Sequence, residues 1–190
     1  EDKTFPKRNS LLKDGTNELI SEKEFVSKIL AAKDAKQNKD FMIIARVESL
    51  ISGMSMSTAL QRAEAYAEAG ADAILIHSKQ KNPEEIFEFA DSFKGSCPIV
   101  VIPTTYDSVK IEELQAHNIK MVIYANQTLR AAHKAMMNLL KILQNSESIS
   151  SINDRLSSME SIFELQSMYE IENKEKVPTI KGFKIKFSFF

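Results

Sequence analysis

Gly70-Ala71-Asp72-Ala73-Ile74-Leu75-Ile76-His77-Ser78 is the stretch on which the fold turns. Gly70 stops a helix, the run from Ala73 to Ile76 is apolar at every position, and His77 and Ser78 stand where the run ends. A strand with no polar face is covered on both sides, as in a parallel sheet with helices outside and a packed interior. Outward from it the same unit recurs. Phe41-Met42-Ile43-Ile44-Ala45 comes before it; Ile99-Val100-Val101-Ile102 and Met121-Val122-Ile123-Tyr124 come after, each short and nearly all apolar. Amphipathic segments with recognisable ends lie between these runs. Ser21 and Glu24 have capping-box spacing ahead of Phe25, Ile29 and Leu30. Ser57 is expected to cap a helix carrying Leu60, Ala63 and Ala67, which Gly70 ends. Asn82-Pro83-Glu84-Glu85 opens another, with Ile86, Phe89 and Phe93 behind it. From residue 21 the order is α-β-α-β-α-β-α-β-α, a succession of right-handed βα units.

Four such strands are half of a (β/α)8 TIM-type barrel and cannot close one at normal strand tilt. They leave three arrangements: an open sheet, two associating half-barrels, or a barrel whose earlier strands lie ahead of Glu1. The third is the expectation, because an isolated half exposes strand edges and a large apolar face. After the fourth strand a helix is expected from Gln127 to Leu143. A second, over residues 152 to 168, offers a stripe of Leu156, Met159, Phe163 and Leu165. The expected division is residues 1–145 for the second half of the barrel, 146–168 for a C-terminal helix, and 169–190 for a tail. The end of that tail, Phe183-Lys184-Ile185-Lys186-Phe187-Ser188-Phe189-Phe190, alternates like an edge strand and receives no role.

Composition narrows the function. The 190 residues suffice for a sizeable core. With 25 Lys+Arg against 26 Asp+Glu, no global field argues for nucleic acid or an anionic membrane. Cys97 is the single cysteine, which excludes an intramolecular disulfide and fits a reducing compartment. No apolar run approaches the roughly 20 residues needed to span a bilayer, so a soluble cytoplasmic chain is expected.

In βα barrels the chemistry sits at the C-terminal ends of the strands. Those positions here hold Arg46 and Glu48, then His77 and Ser78, then Thr104 and Thr105, then Asn126. Ahead of them all stands Glu1-Asp2-Lys3-Thr4-Phe5-Pro6-Lys7-Arg8-Asn9-Ser10-Leu11, a Pro-hinged segment rich in cations, with an amide and a hydroxyl. A guanidinium, an imidazole, hydroxyls and amides are groups suited to an oxyanionic ligand. Each also has a structural reading. Arg46 and Glu48 lie two apart on a strand and can simply pair, and His77 can be a satisfied core histidine. Thr104 and Thr105 read as turn residues, and Asn126 as a helix N-cap. His117 and His133 read as surface, and Cys97, at the N-terminal end of its strand, as a poor nucleophile. Glu1 and Asp2 could hold Mg²⁺ through water, although two adjacent acids are weak evidence.

The Glu1-Asp2-Lys3 start with Pro6-Lys7-Arg8-Asn9-Ser10-Leu11, then Ala45-Arg46-Val47-Glu48, then Gly70-Ala71-Asp72-Ala73-Ile74 ending in His77-Ser78-Lys79, resembles the phosphoenolpyruvate phosphomutase family. That family belongs to the isocitrate lyase and phosphoenolpyruvate mutase superfamily. The match runs from residue 1 to about residue 167. The resemblance implies a (β/α)8 barrel entered as its fourth strand ends. It also implies a helix over residues 152 to 167 exchanged between subunits of a homo-oligomer, a dimer or tetramer. It further implies interconversion of phosphoenolpyruvate and phosphonopyruvate with Mg²⁺ as cofactor. On the same basis Asn9, Arg46 and His77 are the catalytic candidates. Lys7, Arg8, Ser10 and Leu11 form the gating and substrate-binding loop, with Glu48 beside them. Glu1 matches a carboxylate that reaches the metal through water, the direct ligands lying on strands before residue 1. The chain alone is therefore expected to be inactive. Lyases of the superfamily carry a catalytic Cys in this loop and Arg-Thr-Asp at the strand end. Lys-Arg-Asn-Ser and Arg-Val-Glu stand here instead, which disfavours the lyase reading. Two alternatives stay open: a phosphonopyruvate hydrolase, which lets water reach the phosphoryl group, and a non-catalytic assembly module.

Overall fold

The computed structural model describes residues 1–12 and 17–175. By internal contacts the chain forms two units, Glu1–Gln127 and Thr128–Phe190. The first unit alternates helix and strand: α1 (Glu22–Ala35), β1 (Ile44–Val47), α2 (Met56–Glu68), β2 (Ala73–Ile76), α3 (Glu84–Ser92), β3 (Ile99–Val101), α4 (Ile111–Ala116) and β4 (Ile119–Val122). The strands form one parallel sheet in sequence order, β1-β2-β3-β4. Each βα unit thus lays its strand beside the last, the topology of a barrel wall.

β2 explains the arrangement. All four of its residues are buried, and they alternate between two cores. Ile74 and Ile76 pack into a cluster with Val47, Tyr66, Ile86, Phe89 and Val101, which the helices cover. Ala73 and Leu75 turn to the opposite face, where Val100 and Ile102 meet them. β2 and β3 therefore carry no polar residue, and their polar neighbours stand where the strands end. Gly70, at φ +94°, makes the turn from α2 into β2 in the left-handed region that other residues avoid.

Several boundaries differ from the sequence reading. β1 begins at Ile44, and the apolar Phe41 and Met42 before it are exposed. β4 begins two residues earlier than the apolar run, since Ile119 is its buried residue and pairs with Ile99. The cap of α2 is Ser55 and not Ser57, because it is the Ser55 hydroxyl that accepts from the Thr58 amide at 3.2 Å.

The second unit contains α5 (Gln127–Leu143), with the ends read from the sequence, then a 3-10 helix over Ile149–Arg155, α6 (Met159–Leu165) and α7 (Met168–Glu175). The single helix expected over residues 152 to 168 is broken. The Ser158 hydroxyl accepts from the Ser161 amide at 3.1 Å and starts a new helix, so the chain leaves its first helical run at Leu156. The first part of the tail is helical, in α7, and its strand-like end at residues 183–190 lies outside the described residues. No helix among the described residues is long and apolar enough to cross a membrane.

Candidate active site

At the C-terminal ends of the strands the first unit holds a cavity of about 330 Å³. Glu1, Lys7, Arg8, Asn9, Ser10, Leu11, Arg46 and His77 line it, joined by Ile102, Thr104, Ala125 and Asn126. Eight of the nine residues singled out in the sequence for the site thus converge on one space. The ninth, Glu48, is fully buried outside the lining. Thr104 and Asn126, read as structural, also reach the cavity. Thr105 does not, and spends its hydroxyl on the Ser78 carbonyl at 2.9 Å.

Glu48 organises the site from outside the cavity. Its Oε1 accepts from Arg46 Nε at 2.6 Å, and its Oε2 accepts from the Ser10 hydroxyl. Arg46 and Glu48 therefore pair, as their spacing allowed, and the pair is part of the site. The guanidinium goes on to donate from Nη2 to Ser10 Oγ and to His77 Nδ1, both at 3.0 Å. A guanidinium only donates. His77 Nδ1 then accepts in this contact, and Nε2 is the ring nitrogen left to donate.

Burial alone would raise the Glu48 carboxyl. The hydrogen bonds it accepts, from the Ser10 hydroxyl and the Arg46 guanidinium among them, and the charge of that guanidinium outweigh burial and hold the group at about 2 against an ordinary 4.5. A depressed carboxyl stabilises the fold above its unfolded value and loses that contribution as pH falls through its folded value. Urea unfolding is therefore expected to lose on the order of 3 kcal/mol between about pH 4.5 and 2 through this group. Glu48→Gln should be less stable at neutral pH and flatter across that acid window.

The segment ahead of the site supplies the remaining groups. Asn9 Oδ1 accepts from the Leu11 amide at 2.9 Å, which assigns its Nδ2 as the end left to donate. Lys7, Arg8 and Arg46 bring three cations to the lining and Glu1 one carboxylate, set 3.4 Å from Arg46 Nε and 3.9 Å from Lys7 Nζ. The balance favours an anion.

Asp2, considered from sequence as a metal group beside Glu1, is used differently. It is fully buried, and its Oδ1 accepts from the Glu48 amide at 2.9 Å. Oδ2 accepts from Arg62 Nη1 at 3.0 Å and from the Tyr66 hydroxyl at 2.8 Å. Arg62 Nη2 then donates to the Ile20 carbonyl at 2.9 Å. Arg62 and Tyr66 went unnoticed in the sequence. The available signal was a charged residue at helical spacing among Ala59, Ala63 and Tyr66, the buried face of α2.

The donors present do not make a magnesium site by themselves. Among the described residues no three His, Cys, Asp or Glu side chains come together, and Asp2 is fully engaged. Glu1 is the single carboxylate in the lining.

A four-stranded parallel βα sheet with its polar groups collected at the strand ends is part of a TIM-type barrel. The fold is that of the phosphoenolpyruvate mutase and isocitrate lyase superfamily. The chain belongs to the phosphoenolpyruvate phosphomutase family, whose sequence pattern matches residues 1–144. It is 43% identical over 176 residues to the phosphoenolpyruvate phosphomutase of Tetrahymena pyriformis, covering 93% of this chain and 59% of that protein. It is 44% identical over 167 residues to the phosphonopyruvate hydrolase of Variovorax sp. strain Pal2, covering 87% and 58%. A crystal structure of a phosphonopyruvate hydrolase in complex with oxalate and Mg²⁺ superposes with a TM-score of 0.82 at 40% identity, covering 93% of this chain and 60% of that one. The chain thus spans about three-fifths of the relatives it matches.

Proposed function

We propose that this chain supplies the phosphoryl-binding half of a phosphoenolpyruvate phosphomutase, an enzyme interconverting phosphoenolpyruvate and phosphonopyruvate. The observation that carries the reading is the convergence of Lys7, Arg8, Asn9, Arg46 and His77 on one cavity. The reaction moves a phosphoryl group between carbon and oxygen of the same pyruvate unit. Charge spreads over the phosphoryl oxygens in transit, so fixed donors do most of what a protein can do. Arg46 offers a guanidinium already oriented by Glu48, and the Asn9 amide and the His77 ring add further donors. Residues 7 to 11 form one wall and limit the access of water that would otherwise capture the group. Magnesium, present with oxalate in the hydrolase structure above, would supply charge for the enolate in the complete enzyme, with Glu1 the one carboxylate of this lining that could serve it. The complete enzyme would be a homo-oligomer joined through residues 146–168.

The test is a coupled assay of the complete polypeptide with phosphonopyruvate and Mg²⁺. Phosphoenolpyruvate as the product supports the mutase. Stoichiometric pyruvate and inorganic phosphate support the hydrolase, a reading kept because a hydrolase relative is as similar as the mutase one.

Asn9 gives a finer prediction. A donor that matters most when charge is in transit acts on the transition state more than on the ground state. Asn9→Ala is therefore expected to lower kcat about 10²-fold, the size of losing one oxyanion donor, with KM little changed. Steady-state kinetics showing a raised KM at unchanged kcat would make Asn9 a positioning group only.

A further inference from the structure

The site has a cation that the reading above does not use. Lys3 is among the least exposed side chains of the first unit, at 3%. Its ammonium donates to the Arg8 carbonyl at 2.6 Å and to Ser10 Oγ at 3.4 Å, and lies 3.8 Å from Glu48 Oε2. Lysine is seldom buried, because its ammonium gives up strong hydration and must recover it from acceptors held in place. Here two of the acceptors belong to the segment that walls the cavity, and the third is the carboxylate that orients Arg46.

The backbone fixes the lysine's own position. Lys3 pairs with Leu19 in an antiparallel bridge, the Thr4 amide donates to the Glu18 carbonyl at 3.0 Å, and the Ile20 amide donates to the Asp2 carbonyl at 3.0 Å. The two stems flanking the wall segment are thereby joined to each other. Residues 5 to 9 themselves are exposed, and beyond Ser10 so are Leu11 and Leu12. Among the described residues, Ser10 and the Lys3 ammonium tie the wall inward and meet at Glu48, and Lys7 adds an ion pair to Glu1 at 3.9 Å.

We propose that Lys3 is a positioning residue whose ammonium holds residues 8 to 10 against Arg46 and Glu48, and so sets how much of the phosphoryl group is lost to water. The proposal rests on the phosphomutase reading. In both outcomes the carbon–phosphorus bond of phosphonopyruvate breaks. In transfer a P–O bond forms to the enolate oxygen of the same molecule, giving phosphoenolpyruvate. In hydrolysis the P–O bond forms to a water oxygen and the enolate carbon takes up a proton, giving pyruvate and phosphate. A wall held by two hydrogen bonds fewer would admit water without removing any donor that faces the phosphoryl oxygens. Lys3 would then alter the ratio of products, which a merely structural core residue has no reason to do.

The experiment compares the complete polypeptide with its Lys3→Met variant, which keeps the length of the chain and loses the ammonium. Single turnovers of phosphonopyruvate with Mg²⁺ are quantified by ³¹P NMR, and amide exchange is followed across residues 7 to 12. The expected result is a phosphate fraction raised about tenfold or more over the parent, with wall amides exchanging about tenfold faster. An unchanged product ratio with unchanged exchange overturns the proposal, whatever happens to the overall rate. Lys3→Gln, a neutral donor of similar reach, is the second variant if Lys3→Met does not fold, and is expected to fall between the two. Loss of the fold in both assigns Lys3 to the core and also overturns the proposal. A parent protein that makes no phosphoenolpyruvate is a different failure, that of the functional reading. The exchange measurement still tests the Lys3 contact in that case, because it needs no substrate.

Discussion

Replacing Arg46 by Ala in the complete polypeptide is expected to lower kcat/KM for phosphonopyruvate by about 10³- to 10⁴-fold, through both parameters. Arg46 lines the cavity with its guanidinium pinned on three sides, by Glu48, Ser10 and His77. A cation fixed in this way binds an anionic group in the ground state and in transit alike. Two charge-assisted hydrogen bonds at about 2 to 3 kcal/mol each account for the size of the loss. Arg46→Lys should recover only a small part, since an ammonium cannot hold Glu48, Ser10 and His77 with one rigid fork. The check is steady-state kinetics, with circular dichroism to show that the fold persists. Unchanged kcat/KM would leave Arg46 as the partner of Glu48 and nothing more.

The second large effect is on stability and comes from outside the cavity. Arg62→Ala is expected to destabilise the protein by about 3 to 5 kcal/mol, the cost of leaving a buried charge without its partner. Asp2 is fully buried and is answered by Arg62 at 3.0 Å and Tyr66 at 2.8 Å. Burial first, and then the Asp2 carboxylate beside it, push the Tyr66 hydroxyl well above the ordinary tyrosine range. Once the guanidinium is gone, the buried Asp2 carboxylate keeps only the Tyr66 hydroxyl and the Glu48 amide as partners. Adding Asp2→Asn to Arg62→Ala should restore a good part of the loss, because the charge needing a partner is then gone. Urea denaturation of the two single variants and the double variant measures this directly. Equal losses in Arg62→Ala and the double variant would show that packing and not charge dominates.

The difference between what could and could not be read from the chain has a physical basis. The run Ala73 to Ile76 declared itself because both its faces are buried, so nothing polar interrupts it. β4 was misplaced because Lys120 and Met121 are exposed and the register shifts against β3, leaving no clean pattern at its start. The helix expected over residues 152 to 168 had its apolar stripe, but Ser157 and Ser158 interrupt it. A serine hydroxyl competes for backbone groups that a continuing helix would use, and here it caps a new one. The candidate site was legible wherever a polar residue stands at or just past the C-terminal end of an apolar run, which found Arg46 and His77. Its support was not. Asp2 meets Arg62 and Tyr66 across some sixty residues of chain, and Lys3 meets Glu48 across more than forty, pairings that spacing cannot announce.

The central claim is that the groups around this cavity pass a phosphoryl group between carbon and oxygen of one pyruvate unit while excluding water. The most direct test is a single turnover of phosphonopyruvate by the complete polypeptide with Mg²⁺ in ¹⁸O-enriched water, followed by ³¹P NMR. The account predicts a phosphoenolpyruvate resonance whose phosphoryl oxygens carry no label from solvent. Inorganic phosphate bearing one solvent oxygen, in place of phosphoenolpyruvate, would contradict it.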